Sequence, residues 1–286
     1  MSPELTLNDG RRMPHLGLGL MRFGSEAETA AVIGRAMDAG YRLFDTAAVY
    51  GNEREVGEGL RQCGVDRREV FVTTKLWNTE HGREKPRAAL AGSLERLGLS
   101  QIDLYLIHWP LPMDGLYVDT WRALIALQGE EMIGSIGVSN HTIEQLERLI
   151  DETGVVPAVN QIEMHPRFQQ RALHEFHQRH GIVSQAWSPF GGGGSGRVPL
   201  LDEPVLTQIA AKHNRTASQI VLRWLTQSGA SVIPKATGAA HLVANMGALA
   251  FDLDDADMAA IANLDCEQGR TGPDPMTFKV KHLSTS

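Results

Sequence analysis

Eight short apolar runs alternate along the chain with amphipathic segments, and this alternation constrains the fold more than any other feature. The runs occupy residues 16–20, 41–45, 70–75, 103–108, 135–140, 158–163, 182–187 and 231–235. Strands that alternate with helices predict βαβ units and a parallel sheet. Eight such units favour a closed barrel over an open doubly wound sheet. The sequence therefore predicts an α/β protein with a (β/α)₈ TIM-barrel fold.

The chain length of 286 residues suits a single barrel, which typically needs about 250 residues. We therefore expect one domain over residues 1–286. Before the first run, Asn8, Asp9 and Gly10 lie between extended residues and predict an N-terminal β-hairpin that covers one end of the barrel. Four consecutive glycines at 191–194 predict a mobile loop over the active face. Residues 269–286 carry two prolines without periodicity and predict a C-terminal loop over the same face.

Composition excludes several classes of partner. The formal net charge of −7 lacks the basic footprint of a nucleic-acid-binding protein. No apolar stretch approaches the roughly 20 residues of a membrane span, and the N-terminus carries no apolar signal segment. Cys63 and Cys266 are far apart and show no ligand spacing, which indicates two reduced thiols. We therefore expect a cytoplasmic protein that binds neither nucleic acid nor membrane.

Four polar residues lie at or just beyond the ends of consecutive apolar runs: Asp45, Tyr50, Lys75 and His108. In a parallel barrel the carboxyl ends of the strands meet on one face, where functional groups collect. A tyrosine is a weak acid because its free pKa is near 10. An adjacent ammonium favours the phenolate and lowers that pKa. We therefore expect Tyr50 to deliver a proton to an oxygen, with Lys75 beside it.

The other two residues complete a proton-transfer site. Asp45 would hold Lys75 in place and keep it charged, while an N–H of His108 would orient a carbonyl group and stabilise developing negative charge. Each residue type alone is weakly informative, since a single aspartate at a strand end is usually a helix cap or a loop anchor. The prediction depends on all four types meeting at one end of consecutive strands.

The chain resembles the aldo-keto reductases. The motifs that carry the resemblance are GYRLFDTAAVYGNEREVGEGL (40–60), VTTKLW (72–77), DLYLIHWP (103–110), GVSNH (137–141), NQIEMHP (160–166) and VIPKA (232–236). It is most similar to short bacterial members such as 2,5-diketo-gluconate reductases and aldehyde reductases. The resemblance implies that Asp45, Tyr50, Lys75 and His108 form the catalytic tetrad. It further implies that NADPH reduces an aldehyde or ketone and that Tyr50 is the general acid. Members of this family are often monomers, so the resemblance also implies a monomer.

Gly17 and Gly19 lack the third glycine and the following helix of a Rossmann fingerprint, so a classical Rossmann site is not expected. The resemblance implies instead that the dinucleotide lies extended across the mouth of the barrel. It also implies that Ser139, Asn140 and Gln161 hold the carboxamide of the nicotinamide. Trp187 is expected to stack on the nicotinamide. The remaining residues assigned to the cofactor are Ser188 and Phe190, which follow Trp187, together with Lys235, His241 and Asn245.

Two positions depart from the family's pattern for binding the 2′-phosphate. Lys235 and the adenine-contacting Asn245 match, but Ala236 and His241 replace a serine and an arginine. The loss of a hydroxyl and of a permanent guanidinium weakens recognition of the phosphate. We therefore expect NADPH to be preferred only modestly and NADH to be used as well.

The substrate pocket is predicted to be apolar with a polar floor. Trp77 and Trp109 follow catalytic strand ends, and Met21 takes the place of a common aromatic residue; together with His108 they are the predicted substrate contacts. Such a pocket suits a small or medium aldehyde or ketone. Trp121 and Trp224 lie in helical patterns and are predicted to belong to the core.

Three other interpretations concern the remaining residues and the function. His174, His177 and His180 recur every three residues and are expected to form a solvated helix face, with no metal bound. A non-catalytic NADP-binding regulatory protein of the same fold is the alternative function. A barrel isomerase or aldolase with a Schiff base on Lys75 is a further alternative, disfavoured because Asp45 would keep the lysine charged.

Overall fold

The computed structural model describes residues 3–21, 25–192 and 198–279 of the chain. Two of the sequence predictions lie partly outside this region. The second half of the glycine run, 193–194, and the last seven residues of the C-terminal loop, 280–286, are not among the described residues.

Eight parallel strands form the sheet that the alternation of the sequence predicts, and neighbours in sequence are neighbours in the sheet. They are β3 (Leu18–Gly19), β4 (Leu43–Asp45), β5 (Phe71–Leu76), β6 (Ile102–Ile107), β7 (Ile133–Ser139), β8 (Val159–Glu163), β9 (Val183–Trp187) and β10 (Ser231–Val232). The first and last strands also meet, because Leu16 forms a parallel bridge with Val232 and the Gly19 N–H donates to Pro234 O. The sheet therefore curls into a (β/α)₈ barrel.

The first and last strands are much shorter than the runs that predicted them. The last run, 231–235, yields only the two residues of β10. Pro234 has no N–H to donate to β9, so the ladder of hydrogen bonds between β9 and β10 stops before it, although Pro234 O still accepts from Gly19. The first run is likewise reduced to β3 at Leu18–Gly19.

The predicted hairpin is confirmed at the N-terminus. Strands β1 (Glu4–Thr6) and β2 (Arg12–Pro14) pair antiparallel around a turn in which Gly10 has a φ of 85°. Only glycine adopts such a value without strain, so the turn needs this residue. Asn8 Nδ2 donates to Pro157 O at 3.1 Å, just before β8 begins. The hairpin is thereby attached to the amino-terminal end of the barrel, opposite the strand ends that carry the polar residues.

Ten α-helices lie among the described residues. They are α1 (Glu26–Asp38), α2 (Glu53–Gln62), α3 (Lys85–Leu97), α4 (Tyr117–Gly129), α5 (Ile143–Thr153), α6 (Arg171–His180), α7 (Pro204–His213), α8 (Ala217–Gln227), α9 (Ala239–Met246) and α10 (Asp255–Ala262). Capping boxes begin four of them, at Ser25, Thr142, Thr216 and Asp254. Each box satisfies backbone N–H groups that the first helical turn leaves without partners.

The core consists of two layers. Inside the barrel, Leu43, Leu104, Leu106 and Val159 are completely buried. A second and larger cluster fills the space between the strands and the surrounding helices. Trp121 lies in that cluster with no exposed surface, and Trp224 is 4% exposed, so both are core residues as predicted.

The prediction of a solvated histidine face on α6 is wrong for two of its three members. His177 is fully buried: its Nδ1 lies 2.8 Å from Ser184 Oγ, and its Nε2 lies 3.0 Å from Asn160 Nδ2. His174 Nδ1 lies 2.7 Å from the same hydroxyl. Because Asn160 Nδ2 is a donor only, His177 Nε2 must accept and Nδ1–H donates to Ser184. Helical spacing alone could not show that this face turns toward β8 and β9.

This buried histidine predicts acid sensitivity. Burial, aided by repulsion from His174 and His180, lowers the pKa of His177 to about 3. The unfolded chain, with a histidine pKa near 6.5, therefore binds the proton more readily. The contribution of His177 to the free energy of unfolding is fully present above about pH 6.5. It is lost as the pH drops toward 3, by several kcal/mol in all. Urea unfolding between pH 7 and 4.5 measures this loss.

Replacing the ring tests its cause. His177→Gln should lower the free energy of unfolding at pH 7 by about 1–3 kcal/mol, because it disturbs buried hydrogen bonds. The difference in the free energy of unfolding between wild type and variant should shrink toward pH 4.5, because protonation of His177 in the unfolded chain destabilises only wild type. A constant difference between wild type and variant across this pH range would exclude His177 as the source.

Candidate active site

The four polar residues singled out in the sequence meet at the carboxyl ends of three adjacent strands. Asp45 is the last residue of β4, Lys75 is the penultimate residue of β5, and His108 directly follows β6. Tyr50 ends a single 3₁₀ turn, Ala48–Tyr50, in the loop after β4. Strand β5 pairs in parallel with β4 on one side and with β6 on the other, so these strand ends lie side by side. The loop after β4 then places Tyr50 next to Lys75.

Lys75 is the centre of the arrangement and is completely buried. Its Nζ donates to Asp45 Oδ1 at 2.6 Å and to Thr46 O at 2.8 Å, and it is hydrogen-bonded to the Tyr50 hydroxyl. It also lies 5.1 Å from the centre of the Tyr50 ring. Three acceptors match the three N–H donors of an ammonium. The geometry therefore favours a charged lysine in direct contact with the phenol.

The pKa shifts support a charged Lys75 but do not support the lowered pKa that the sequence predicts for Tyr50. Burial disfavours the lysine's charge, yet Asp45 and Tyr50 together raise its pKa. Burial raises the pKa of Tyr50, and the opposing effect of Lys75 does not cancel it. The expected depression of the tyrosine pKa is therefore absent as a net effect, although Lys75 acts in the predicted direction. Tyr50 is a protonated phenol whose ionised form would be stabilised by one adjacent ammonium.

His108 is held as a neutral imidazole. Burial lowers its pKa well below the usual value, and the charge of Lys75 adds to that effect. Its ring meets Tyr50 edge-on at 5.7 Å and Trp77 at 5.1 Å between ring centres. Its Nδ1 is buried without a hydrogen-bond partner among the described residues. A neutral imidazole carries one N–H, so it can orient a carbonyl oxygen without adding a positive charge.

Polar side chains of the next three strands extend the site. Asn140 Nδ2 donates to His108 O at 3.0 Å, and Asn140 Oδ1 accepts the indole N–H of Trp187 at 2.9 Å. Gln161 Nε2 donates to Asp45 Oδ2 at 2.7 Å. Ser139 Oγ donates to Gln161 O at 2.8 Å. These bonds join β4 and the end of β6 to β7, β8 and β9, so the predicted tetrad and Ser139, Asn140, Gln161 and Trp187 belong to one network.

One cavity of about 580 Å³ lies over this network. Most of the sequence-predicted site residues line it: Met21, Asp45, Tyr50, Trp77, His108, Trp109, Ser139, Asn140, Gln161, Trp187, Ser188, Phe190 and Lys235. Three do not. Lys75 lies beneath the cavity, behind Tyr50. His241 and Asn245 lie on α9, with His241 exposed and Asn245 buried and hydrogen-bonded to the Tyr41 hydroxyl.

Several lining residues were not predicted. Val49 precedes Tyr50, and Pro273 and Phe278 come from the C-terminal segment. Phe278 stacks on Trp109, with ring centres 4.1 Å apart. The described part of the C-terminal segment therefore lies over the active face, as the sequence predicts. The individual residues had no signal, because this segment shows no periodicity that would identify inward-facing positions.

The donor set fits a nicotinamide dinucleotide. The side chains of Asn140 and Gln161 carry both donor and acceptor atoms, which a carboxamide requires. Trp187 offers a flat aromatic surface on the same cavity, and Lys235 brings a cation suited to a phosphate. No group of three or more potential metal-ligating side chains is found within 3–21, 25–192 and 198–279. No helix in those ranges is long and apolar enough to cross a membrane.

Comparison with known proteins agrees with this geometry. Residues 15–265 match the Aldo/keto reductase family. Methylglyoxal reductase DkgA of Escherichia coli is 47% identical over 275 residues, which covers 96% of this chain and 97% of that protein.

Solved structures show the same relationship. The crystal structure of a Gox0644 mutant in complex with NADPH has a TM-score of 0.91 at 46% identity and covers 98% of this chain and 100% of that one. An aldo-keto reductase of Bombyx mori in complex with NADP has a TM-score of 0.87 at 38% identity, covering 92% and 93%. The chain therefore belongs to the aldo/keto reductase family.

Proposed function

We propose that this protein reduces aldehydes and ketones to alcohols with NADPH as the reductant. One observation carries the proposal: a protonated Tyr50, hydrogen-bonded to the buried Lys75–Asp45 pair, faces an apolar cavity that His108 also lines. The match to NADPH-bound relatives supports the choice of cofactor.

The cofactor would be held by residues from four strand ends. Ser139, Asn140 and Gln161 would bind the carboxamide, and Trp187 would stack on the nicotinamide. Lys235 would contact the phosphates, and Ser188 and Phe190 would border the dinucleotide. His241 and Asn245 on α9 would lie at its adenosine end. When bound there, NADPH supplies the hydride for the carbonyl carbon.

The chain's own residues supply the proton and the orientation. His108 donates an N–H to the carbonyl oxygen and fixes its position. Tyr50 Oη then releases its proton to that oxygen, and Lys75 stabilises the phenolate that remains. Asp45 keeps Lys75 charged throughout, and Gln161 holds Asp45 in place. Met21, Trp77 and Trp109 exclude water and contact the apolar part of the substrate.

The two alternatives fit the site less well. A non-catalytic cofactor-binding protein has no need for a buried lysine between a phenol and a carboxylate, since burying charges is costly. A Schiff-base enzyme needs a neutral amine, whereas the pKa of Lys75 is raised. Failure to trap a substrate on the protein with borohydride would exclude the second alternative directly.

The substrate is expected to be small and uncharged. Aromatic and aliphatic side chains surround the reacting end of the cavity, and Lys235 is its only cationic lining residue among those described. Because Lys235 is assigned to the cofactor, no other cation among the described lining residues remains for a carboxylate of the substrate. Methylglyoxal, named for the Escherichia coli relative, has this character and is the first substrate to test.

The proposal places the protein in the cytoplasm as a monomer that binds neither nucleic acid nor membrane. Cys63 and Cys266 form no disulfide and the net charge is negative, and both observations support it. Size-exclusion chromatography with light scattering would test the monomer, since a dimer would elute at twice the mass of the 31.3 kDa chain.

The enzymatic proposal is tested by steady-state rates. The purified protein should lower the absorbance at 340 nm when mixed with NADPH and methylglyoxal or an aromatic aldehyde. The absence of turnover over a panel of aldehydes and ketones, with either cofactor, would contradict it.

Cofactor preference gives a further prediction. A neutral or partly charged imidazole cannot form the bidentate contact of a guanidinium with a phosphate. We expect wild type to bind NADPH only modestly better than NADH. His241→Arg should tighten NADPH by about one to two orders of magnitude, as a charge-assisted hydrogen bond worth roughly 1.5–3 kcal/mol implies, and leave NADH nearly unchanged. Fluorescence quenching gives both dissociation constants.

The outcome also locates the side chain. Equal tightening of both cofactors would show a general electrostatic effect, and no change in either would show that His241 does not face the 2′ position. Arginine at another exposed position, as in Gln208→Arg, adds the same charge on α7 and serves as the control.

A further inference from the structure

A buried carboxylate beside the active site has no part in the proposed chemistry. Glu163 ends β8, is 1% exposed, and accepts four hydrogen bonds. Its Oε1 accepts from the Thr271 N–H at 2.7 Å and from Thr271 Oγ1 at 2.5 Å, with His165 Nε2 at 3.2 Å. Its Oε2 accepts from the Gly272 N–H at 2.9 Å. Three of the four donors therefore come from a segment more than 100 residues away in sequence.

These bonds keep the carboxylate charged. Burial would raise the pKa of Glu163, but the donors from His165, Thr271 and Gly272 outweigh it and lower the pKa. Hydrogen bonds to an ionised acceptor are roughly twice as strong as neutral ones. Glu163 is therefore a strong, fixed attachment point at the end of a barrel strand.

Thr271 also connects a second loop to this point. Its Oγ1 accepts the Gly192 N–H at 3.1 Å while it donates to Glu163. Gly192 belongs to the loop that follows β9, two residues beyond Phe190 of the cavity wall. One hydroxyl thus joins a barrel strand, the glycine-rich loop and the C-terminal segment.

Residues 271–278, called the strap here, form part of the cavity wall. Pro273 and Phe278 line the cavity, and Phe278 stacks on Trp109. Gly272 lies so close to Trp187 that a Cβ at this position would fall 2.3 Å from the indole ring. The end of the strap at Gly272 therefore packs on Trp187, a predicted cofactor contact. The other end, at Phe278, packs on Trp109, a predicted substrate contact.

We infer that Glu163 and Thr271 are positioning residues for substrate specificity: their hydrogen bonds hold the strap so that Phe278 and Trp109 form a fixed aromatic wall for the carbonyl substrate. The inference rests on the proposed reductase function. Asp45, Tyr50, Lys75 and His108 make no hydrogen bond to the strap among the described contacts. Loosening the strap should therefore change the binding of substrates that touch the wall more than it changes the chemical step.

Two substrates of different size distinguish a role in specificity from a general loss of activity. An aromatic aldehyde such as benzaldehyde needs the wall on one side, whereas methylglyoxal is too small to fill the cavity. Thr271→Val removes the hydroxyl at nearly constant shape, and Glu163→Gln replaces one acceptor oxygen by a donor that faces N–H groups. In both variants we expect KM for benzaldehyde to rise about tenfold with kcat within about threefold, as the loss of one stacked aromatic contact implies. KM for methylglyoxal should change less than about threefold.

Two controls accompany the variants. Thr271→Ser keeps the hydroxyl and should return KM for benzaldehyde to nearly the wild-type value. Thr207→Val makes the same change at an exposed position of α7, where the hydroxyl donates to Pro204 O, and should leave both substrates unaffected.

Hydrogen exchange of the cofactor-free protein gives a readout that does not depend on activity. The amides of Thr271 and Gly272 should be protected in wild type and in Thr271→Ser, and should exchange at least about tenfold faster in Glu163→Gln. Equal losses of kcat for both substrates with unchanged KM values would indicate general destabilisation and overturn the inference, as would unchanged exchange. A wild type that reduces neither substrate would instead contradict the proposed function itself.

Discussion

Tyr50→Phe is expected to lower kcat for carbonyl reduction by about 10²–10⁴-fold, the usual contribution of a general acid. Among the described partners of Lys75, the phenol is the only group that can release a proton to a substrate oxygen, since Thr46 contributes a backbone carbonyl and Asp45 a carboxylate. The ring itself remains, so its edge-on contact with His108 should persist. Rates with a reactive aldehyde at saturating cofactor measure the effect.

Cofactor binding is the control for this variant. None of the residues proposed to bind NADPH is removed, so the dissociation constant for NADPH should stay within about threefold of wild type. A variant that keeps nearly wild-type kcat would show that another group supplies the proton. A variant that no longer binds NADPH would leave the loss of rate attributable to binding.

Lys75→Met is expected to lower kcat by a similar order and also to destabilise the fold. The ammonium is the charge that lowers the cost of ionising Tyr50, which burial otherwise raises. Its removal should therefore move the tyrosine pKa further up. In the direction of alcohol oxidation, where Tyr50 must accept a proton, the rate should reach its plateau at a higher pH than in wild type. A pH–rate profile identical to wild type would contradict the pairing.

Stability separates the two roles of this lysine. Without it, Asp45 is left as a buried carboxylate without its counter-charge, which typically costs about 3–5 kcal/mol. Adding Asp45→Asn removes the stranded charge and should recover most of the stability. The double variant should remain as slow as Lys75→Met. Recovery of activity together with stability would show that the lysine acts only through folding.

Much of this site could be predicted from the sequence because it follows the strand pattern. Asp45, Lys75 and His108 end consecutive apolar runs. A parallel barrel brings such ends together irrespective of how the surrounding helices pack. Their family motif then supports the assignment of the tetrad and of the cofactor residues. Short-range rules worked at the N-terminus as well, where Gly10 identified the hairpin turn.

Properties that depend on the surroundings of a residue could not be predicted. The sign of the pKa shift of Tyr50 depends on burial, which the adjacent charge of Lys75 does not reveal. The burial of His177 depends on which face of α6 meets β8 and β9. Phe278 and Thr271 act through contacts with residues more than 100 positions away, and no local pattern marks them. The length of strand β10 was overestimated because its apolar run continues to Pro234, which ends the hydrogen-bonded ladder with β9.

The most direct test of the proposed function is a single-turnover experiment with enzyme in excess over NADPH deuterated at the transferable position. Mixed with methylglyoxal, wild type should consume the 340 nm absorbance and form one alcohol per cofactor, with deuterium on the former carbonyl carbon. Tyr50→Phe should bind the same cofactor and show this decay only about 10²–10⁴-fold more slowly. An alcohol without deuterium, or equal rates for the two proteins, would contradict reduction at this site with Tyr50 as the acid.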